Sequence, residues 1–487
     1  MSASNPIGGA AGVATGFATG PPTQVAAPVW LSCSGCGNRV ELGAAEPFVC
    51  PRASPGDDID HVLVRRIDPE ALSVPAAVGG NPYVQCRDLM SYGSRARALG
   101  VEDARLVELI EQLDEAIERV DGHGFVPTPL RAEPTLAAAC ARPLDSLWAK
   151  DETGNVAGSH KARHLMGVMI HLRLAEVAGI RDPAGRPPLA IASCGNAALA
   201  AGVVAAAAGW PLEVFVPPQA SPSTVERLRS LGATVTPCPR DGRPGDPCMR
   251  AFEAARARGA LPFSVQGSVN GLAVEGGLTL GYELAAQVRA GPGRLDALVV
   301  QVGGGALGSA CWHALRDAVA WGVLPSLPRL HTVQTAGAWP LRRAYERVVE
   351  VIAARVGGTV PQLPLARADW LRRCPASIVD AALLHAANHR SSFMQPWEIE
   401  PQSVACGILD DETYDWWALV EGMIRTGGIP IVADEDALVA AHEAVGRYTG
   451  VRASATGTAG VGGIWAMAED AVFAEQAVAV LLTGVER

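Results

Sequence analysis

Short strand patterns alternate with longer helical patterns over most of the chain after residue 126. Residues 189–192 are apolar throughout, residues 297–302 are apolar except for Gln301, and helical patterns such as residues 196–208 separate such runs. Strands without polar alternation are typical of parallel sheets that are covered on both faces. The alternation therefore predicts an α/β fold with a largely parallel sheet. The other strand patterns cover residues 212–216, 233–237, 331–334, 429–432 and 477–483.

Composition and charge exclude several classes of protein. Hydrophobic residues make up 49 % of the 487 residues and charged residues 18 %, which excludes a wholly disordered chain. The net charge of −10 argues against nucleic acid as the main partner, because proteins that bind it are normally basic. No apolar run reaches the ~20 residues of a membrane-spanning helix, so no membrane partner is expected.

The number of cysteines and the composition of the N-terminus bear on whether the protein is secreted or cytoplasmic. Eleven cysteines in 487 residues are too sparse for the disulfide framework of a small secreted protein. The first 28 residues have neither the basic start nor the apolar centre of a signal peptide. We therefore expect a cytoplasmic protein whose cysteines are reduced.

The chain divides into three predicted parts. Residues 1–28 carry no charge and are rich in Ala, Gly, Thr and Pro, which predicts a flexible tail. Residues 29–125 combine a cysteine-containing stretch with a helix over residues 102–120, where apolar side chains recur every three or four positions. Residues 126–487 form the α/β domain, with a smaller subdomain at about residues 163–285.

Lys161 opens a predicted helix over residues 162–178, directly after a glycine-containing loop that follows a strand end. The start of a helix favours anions, so a free ammonium group is out of place there. The placement is reasonable if the amine is bound covalently as a Schiff base, as lysine is with pyridoxal phosphate. The alternative is an ordinary exposed helix lysine.

Two further loops join an apolar strand to a helix, where backbone N–H groups can bind an anion. The first, called here the carboxylate loop, has small residues and suits a substrate carboxylate, although an ordinary turn with an Asn cap explains it as well. The second, called here the glycine loop, lets the backbone approach a phosphate closely. The carboxylate loop consists of Ser193, Cys194, Gly195, Asn196 and Ala197. The glycine loop consists of Gly303, Gly304, Gly305, Ala306 and Leu307.

The glycines also allow a dinucleotide-binding interpretation. Gly303, Gly305 and Gly308 satisfy the pattern G-x-G-x-x-G, but no acidic residue follows the next strand pattern at residues 331–334 to bind a ribose. We therefore favour a site for a single phosphate. Thr483 ends the last strand pattern, where its hydroxyl can bind a pyridine nitrogen or simply close a core strand.

In this order along the chain, the four segments resemble the fold-type II pyridoxal-phosphate enzymes, which include threonine synthase and the serine and threonine dehydratases. The resemblance covers residues 127–487 and implies a tryptophan synthase β-like fold, with two open-sheet α/β subdomains and the cofactor between them. It implies that Lys161 binds the cofactor and acts as the catalytic base. It further implies that Asn196 contacts the phenolic oxygen, the glycine loop the phosphate, Thr483 the pyridine nitrogen and the carboxylate loop the substrate.

The resemblance implies a lyase or synthase that acts on an amino acid. The reaction is β-elimination or β/γ-replacement on a hydroxy- or otherwise substituted substrate, through an aminoacrylate-type intermediate. Ala273 stands where threonine synthases typically carry an Arg, and the glycine loop has the dehydratase form, which together argue against a phosphorylated substrate. A nicotinamide-dependent oxidoreductase and a non-catalytic protein of the same fold stay open as alternatives. The relatives imply a homodimer.

Residues 339–402 are rich in Arg and aromatic residues, and we expect them to form a less regular cover over the site. Arg390, Ser391 and Ser392 in this segment are candidates for polar contacts to the substrate.

The N-terminal cysteines resemble a small module of threonine synthase-like and cysteate synthase-like proteins. Cys33 and Cys36 form a C-x-x-C pair, and Cys50 follows without a second pair. A zinc ion needs four ligands, so His61 is the candidate for the fourth. Alternatively, the module has lost its metal and its cysteines pack as small hydrophobic residues.

Overall fold

The computed structural model describes residues 28–44, 47–72, 79–243 and 245–487. The flexible tail predicted for residues 1–28 lies outside the described residues, apart from Pro28. The strands of the described part, in chain order, are β1 (Val29–Cys33), β2 (Arg39–Val40), β3 (Leu63–Ile67), β4 (Leu130–Ala132), β5 (Leu147–Asp151), β6 (Leu189–Ala192), β7 (Leu212–Val216), β8 (Thr234–Pro237), β9 (Leu261–Pro262), β10 (Ala297–Gln301), β11 (Arg329–Thr335), β12 (Pro430–Ala433) and β13 (Val478–Leu482).

The α-helices of the same residues alternate with these strands along most of the chain. They are α1 (Pro82–Gln85), α2 (Ser91–Ala98), α3 (Asp103–Asp121), α4 (Pro134–Ala139), α5 (Lys161–Val177), α6 (Asn196–Ala207), α7 (Pro222–Ser230), α8 (Pro247–Ala257), α9 (Leu272–Gly276), α10 (Leu278–Ala290), α11 (Ala306–Ala320), α12 (Pro340–Val356), α13 (Pro364–Arg373), α14 (Ala376–Ala387), α15 (Arg390–Phe393), α16 (Trp416–Thr426), α17 (Glu435–Thr449), α18 (Ala455–Ala466) and α19 (Ala471–Ala474).

The larger sheet has six strands in the order β12-β11-β10-β13-β5-β4. All its neighbours are parallel except β4, which pairs antiparallel with β5. Every residue of β10 and β13 is buried, as expected of central strands that helices cover on both faces. The α/β fold with a largely parallel sheet is therefore confirmed.

A second open sheet has four parallel strands in the order β8-β7-β6-β9. All four lie between Leu189 and Pro262, within the range predicted for the smaller subdomain. β6 and β7 have the predicted bounds, and β8 begins one residue later than predicted. The chain thus has the two open α/β sheets that the resemblance implies.

Helix α5, which begins at Lys161, is held in place by a close approach of two backbones. A Cβ on Gly167 would lie 2.8 Å from the Cα of Gly276 in α9. Because only glycine leaves room for this approach, the two glycines fix the distance between the helices. Helix α6 packs on the other side with small buried residues, mainly alanine. These contacts determine where the first turn of α5 lies.

Residues 339–402 form helices α12 to α15, so the irregular structure predicted there is wrong. In α12 the apolar residues recur at helical spacing and are buried, as in any amphipathic helix. Four arginines between the buried positions of α12 interrupt this pattern in the sequence, three of them half-buried (Arg342, Arg343 and Arg347) and one exposed (Arg355). The buried residues of α12 are Pro340, Leu341, Ala344, Tyr345, Val348, Val349 and Ile352.

The N-terminal module, defined here as residues 29–69, forms an antiparallel sheet in the order β2-β1-β3. It shares its apolar core with helices of the α/β domain. Arg65 of β3 is buried, donates to the Tyr282 hydroxyl at 2.9 Å and pairs with Asp317. Among the described helices, none is both long enough and apolar enough to cross a membrane.

Candidate active site

The predicted site segments meet where parallel strands end. β5, β13 and β10 are neighbours, so their carboxyl ends lie at one edge of the larger sheet. Lys161 follows β5 along the chain, Thr483 comes directly after β13, and the glycine loop follows β10. Crevices at this edge are where open α/β sheets generally bind ligands.

The carboxylate loop reaches the same place from the smaller sheet, since it follows β6. A Cβ on Gly484 would lie 2.5 Å from Nδ2 of Asn196 and 3.4 Å from Cβ of Ser159, two residues before Lys161. The backbone N–H of His160 donates to the Thr483 carbonyl at 3.2 Å. The fold therefore brings together segments that lie up to about three hundred residues apart in the chain.

Lys161 is the first residue of α5 and is partly buried. Within the described part of the chain its amine has neither a hydrogen bond nor an ion pair. Burial lowers the pKa of the amine, while the charges of Asp410 and Asp415 act in the opposite direction. A partly desolvated amine without a partner is suited to covalent chemistry.

The glycine loop is a tight cradle at the start of α11. Gly305 has φ +101°, a left-handed conformation that favours glycine, and α11 has no side-chain cap. A Cβ on Gly303 would overlap the Asp410 carboxyl and approach the Cα of Ile408 to 3.0 Å. Free N–H groups at a helix start and a close backbone approach are what a phosphate group requires.

Thr483 is buried, and its Oγ1 accepts a hydrogen bond from Nε2 of Gln301 at 2.8 Å. Because this lone pair is used by the amide, the hydroxyl proton of Thr483 is free to be donated elsewhere. Gln301 is the last residue of β10, just before the glycine loop. The sequence pattern does not identify it, although a polar residue at the end of an apolar strand is a usable signal.

In the carboxylate loop, Ser193 and Asn196 are partly buried, Cys194 and Gly195 are exposed, and Ala197 is buried. Helix α6, which follows, has no side-chain cap and no acidic residue in its first turn. Its N–H groups can therefore take an anion. The Asn196 side-chain oxygen accepts from Nε of Arg487 at 3.2 Å.

An acidic segment at residues 410–415 lies against the glycine loop. The N–H of Asp415 donates to the Gly304 carbonyl at 2.9 Å, and the Tyr414 ring would be 3.0 Å from a Cβ on Gly304. Burial raises the pKa of Asp410 to about 6, although Lys161 acts to lower it. Burial likewise raises the pKa of Asp415 to about 7, against a hydrogen bond from the Gly267 N–H.

Asp410 and Asp415 are the site residues that the sequence pattern does not identify. The available signal is four carboxylates in six residues, between an apolar stretch and a tryptophan-containing helix. An acidic cluster of this kind is usually a solvated turn, so the signal alone does not indicate a site. In the fold, two of the four carboxyls pack against the glycine loop, and their charges act against the burial that lowers the pKa of Lys161.

A buried ion network fixes the backbone before Lys161. Arg163 contacts Glu152 at 2.7 Å and Glu283 at 2.6 Å, and Lys150 contacts Glu283 at 2.8 Å. All four side chains are fully buried, and their formal charges balance. The network joins the end of β5, the start of α5 and helix α10.

His160 has a structural place next to Lys161. Its Nδ1 lies 3.0 Å from the Thr483 carbonyl, and its ring packs edge-to-face on His164 at 5.6 Å. Burial lowers the pKa of His160 well below its usual value, and the Lys161 charge adds to this effect. We therefore expect a neutral ring that packs rather than titrates near pH 7.

The residues considered for polar substrate contacts have other partners in the structure. Arg390 pairs with Asp60 of the N-terminal module at 3.3 Å and with Glu412. The Ser391 backbone and hydroxyl donate to Asp58 at 2.7 and 3.0 Å. Ser392 is exposed.

The four predicted metal ligands lie together at the base of the N-terminal module. Sγ of Cys33 is 3.3 Å from Nδ1 of His61, and Sγ of Cys36 is 3.6 Å from Sγ of Cys50. All four possible ligand atoms lie within 4.8 Å of one another.

Several solved structures share this fold. The T.th. threonine deaminase is 19 % identical with a TM-score of 0.54, and the match covers 77 % of this chain and 98 % of that one. Maize serine racemase is 18 % identical with a TM-score of 0.52, covering 78 % and 93 %. Diaminopropionate ammonia lyase from Escherichia coli is 15 % identical with a TM-score of 0.53, covering 78 % and 88 %. At these identities the likeness shows the fold.

Among curated proteins the chain has no significant sequence match. A family model described as "Pyridoxal-phosphate dependent enzyme" matches residues 122–484, which is well over half of the chain and includes Lys161, the carboxylate loop, the glycine loop, the acidic segment and Thr483. The chain therefore belongs to the pyridoxal-phosphate-dependent enzymes, with the fold of type II.

Proposed function

We propose that this protein is a pyridoxal-phosphate-dependent lyase that removes a hydroxyl or amino group from the β-carbon of an amino acid and releases ammonia and a 2-oxo acid. The observation that carries the proposal is a pair of buried carboxyls, Asp410 and Asp415, that pack against the glycine loop and whose charges act on the unpartnered amine of Lys161. The names of two structures that share the fold, a threonine deaminase and a diaminopropionate ammonia lyase, agree with this class.

The residues of the site fit the cofactor. Lys161 has a free amine to hold it covalently, and the glycine loop leads into α11, whose first turn has no side-chain cap and can take the phosphate. Thr483 has a hydroxyl proton to donate to the pyridine nitrogen, and Asn196 would contact the phenolic oxygen. The bound cofactor supplies an electron sink for charge that develops on the α-carbon.

Lys161 is proposed as the base that takes the α-proton. A general base works best when its pKa is close to the working pH, and burial moves the pKa of this amine in that direction. The carboxylate loop would hold the substrate carboxylate on the N–H groups at the start of α6, which keeps the α-proton in reach of the lysine.

Asp410 is proposed as the acid that protonates the leaving group. A hydroxyl or an amine leaves poorly unless it gains a proton, and a carboxyl with a pKa of about 6 can supply one near neutral pH. A phosphate in the adjacent glycine loop would raise that pKa further. Two carboxyls at this place disfavour an anionic leaving group such as phosphate.

The experiment compares L-serine, L-threonine, 2,3-diaminopropionate and O-phosphoserine, with ammonia and 2-oxo acid as the products measured. We expect activity on at least one of the first three and little on O-phosphoserine, and Lys161→Ala should abolish it. Preference for O-phosphoserine would overturn the substrate class. Racemisation or replacement without release of ammonia would overturn the lyase.

The role of Asp410 has its own test. Asp410→Asn should lower kcat on the preferred substrate by about a hundredfold, the lower end of general acid catalysis. It should leave kcat on β-chloroalanine unchanged, because chloride leaves without gaining a proton. Asp411→Asn, at an exposed neighbouring position, serves as the matched control. Equal losses on both substrates would contradict the assignment.

The homodimer, the cytoplasmic location and the subdomain bounds stay predictions. Sedimentation equilibrium of the full chain tests the first, because a dimer has twice the 50.5 kDa mass of the chain.

A further inference from the structure

The spacing of Cys33, Cys36, Cys50 and His61 matches that of a tetrahedral metal site. Zinc lies about 2.3 Å from a thiolate and about 2.0 Å from an imidazole nitrogen, which places neighbouring ligand atoms about 3.5–3.8 Å apart. The structure has 3.6 Å between two sulfurs and 3.3 Å between a sulfur and Nδ1. None of the three cysteines is in a disulfide, so all three sulfurs are available as ligands.

The surroundings of His61 give a second, independent observation. Its Nε2 lies within ion-pair distance of Asp57, 3.4 Å from Oδ2 but without hydrogen-bond geometry, while Nδ1 lies 3.3 Å from Sγ of Cys33. Asp57 is itself fixed by the N–H groups of Ser54 at 2.8 Å and Ile59 at 3.2 Å. A carboxylate that orients the far nitrogen of a histidine is the usual outer shell of a zinc ligand.

We propose that Cys33, Cys36, Cys50 and His61 bind one Zn²⁺ ion, and that this ion fixes the loop of residues 57–62 against the candidate active site. Four protein ligands fill the tetrahedron and leave no open position. The ion is therefore structural and takes no part in the chemistry.

The loop that carries His61 is anchored to the α/β domain at Asp58 and at Asp60, the residue before the histidine. The N–H of Asp60 donates to the Ala387 carbonyl at 2.7 Å, and the Asp58 carbonyl accepts from the N–H of Arg390 at 2.8 Å. The Asp60 carboxylate lies 3.3 Å from Nε of Arg390.

Arg390 extends this connection to the acidic segment, because its other end pairs with Glu412. Glu412 lies between Asp410 and Asp415, the two carboxyls whose charges act on Lys161. A metal that fixes residues 57–62 also fixes Asp60, which pairs with Arg390. Arg390 in turn pairs with Glu412 and so holds residues 410–415. The ion would order the acidic side of the site without touching it.

The first test is the metal content of the purified full chain, measured by inductively coupled plasma mass spectrometry. We expect one zinc per chain, lost in Cys36→Ser and in Cys50→Ser. The exposed cysteines outside the cluster give the matched controls Cys194→Ser and Cys406→Ser, which should keep the ion. No zinc in the wild type after dialysis against zinc, or equal zinc in Cys50→Ser, would overturn the proposal.

A milder variant guards against misfolding of the cysteine mutants. Asp57→Asn should weaken zinc binding 10–100-fold in competition with a chromophoric chelator, the usual effect of losing an outer-shell partner. Asp58→Asn changes a carboxylate of the same loop that does not contact His61 and should leave zinc affinity unchanged. Equal affinities of the two variants would contradict the assigned ligand set.

The second half of the proposal is tested by hydrogen exchange, which needs neither substrate nor activity. Removing zinc with a chelator should speed amide exchange at residues 57–62 and 410–415 by about tenfold or more. Asp60→Asn should keep the zinc and speed exchange only at residues 410–415. If zinc removal leaves residues 410–415 unchanged, the ion does not order the site, whatever reaction the site performs.

Discussion

At the scale of single residues, two nearby lysines have very different surroundings. Lys150 and Lys161 both have a pKa lowered by burial. Lys150 donates to the Thr128 carbonyl at 2.6 Å, to Glu283 at 2.8 Å and to Gln287 at 3.0 Å, which fixes it as a charged structural group. Lys161 has none of these bonds. The absence of partners in the described residues around it is why we propose Lys161, and not Lys150, as the reactive lysine.

This contrast predicts which lysine carries the cofactor. Borohydride reduction of protein loaded with pyridoxal phosphate, followed by peptide mass spectrometry, should find the label on Lys161. Lys150 should stay unlabelled in the same sample, although it lies only eleven residues earlier. A label on Lys150, or equal labelling of Lys161→Ala, would contradict the assignment.

Asp415 predicts an unusual dependence of stability on pH. Burial and the charge of Asp60 raise its pKa to about 7, against the Gly267 N–H and Lys161. The folded state therefore binds more protons than the unfolded state between pH ~4 and ~7, so the free energy of unfolding falls as pH rises through this window.

Asp415→Asn removes this titration. The cofactor-free variant should be more stable than wild type at pH 8 by roughly 2–4 kcal/mol, and the difference should vanish near pH 4. Urea unfolding at several pH values measures it. Asp145→Asn, at an exposed site, should follow the wild type. Curves of wild type and Asp415→Asn that run parallel would contradict the raised pKa.

At the scale of elements, the buried network of Lys150, Glu152, Arg163 and Glu283 couples β5, α5 and α10. Its two positive and two negative charges balance, so each buried charge is compensated only while its partners are present. Breaking such a network is costly because a charge is left buried and uncompensated.

Glu283→Gln keeps the shape of the side chain and removes its charge. We expect the free energy of unfolding to fall by about 3–5 kcal/mol, because Lys150 and Arg163 lose their shared partner. The exposed pair of Arg105 and Glu108 gives the comparison, where Glu108→Gln should cost less than about 1 kcal/mol. Similar losses in both variants, measured by urea unfolding, would show that the buried charges are not coupled.

The sequence predicts the bounds of single helices and strands better than it predicts which of them lie next to each other in the fold. β6 and β7 have their predicted bounds because apolar β-branched runs are a local signal. Gln301 and Asp410 could not be assigned to a site, because their importance depends on the strand order, which brings distant segments together. Lys161, Asn196 and Thr483 could be proposed from their order along the chain, which the family resemblance interprets.

At the scale of the whole molecule, the N-terminal module shares one hydrophobic core with the α/β domain and does not pack as a separate domain. Its apolar residues belong to the same cluster as those of α5 and α6. Arg65 adds a buried pair with Asp317. The boundary predicted near residue 125 therefore separates sequence patterns, while the packing continues across it.

A shared core predicts shared unfolding. In native-state hydrogen exchange, the amides of β1 and β3 should open with the same free energy as those of α5, as one cooperative unit. Arg65→Met should lower the protection of both regions together. If β1 and β3 opened at a clearly lower free energy, the module would be a separate folding unit.

The position of β13 has a consequence for biosynthesis. This strand fills the middle of the larger sheet, between β10 and β5, yet it is translated after every other strand of that sheet. During vectorial synthesis the four-stranded sheet, complete by Pro262, can form early, whereas β5 and β10 must wait on the ribosome with open edges. We therefore expect the larger sheet, and the edge at which the proposed site lies, to be completed only after β13 has left the exit tunnel. Until then we expect the unpaired edges of β5 and β10 to be the part of the nascent chain most prone to aggregation.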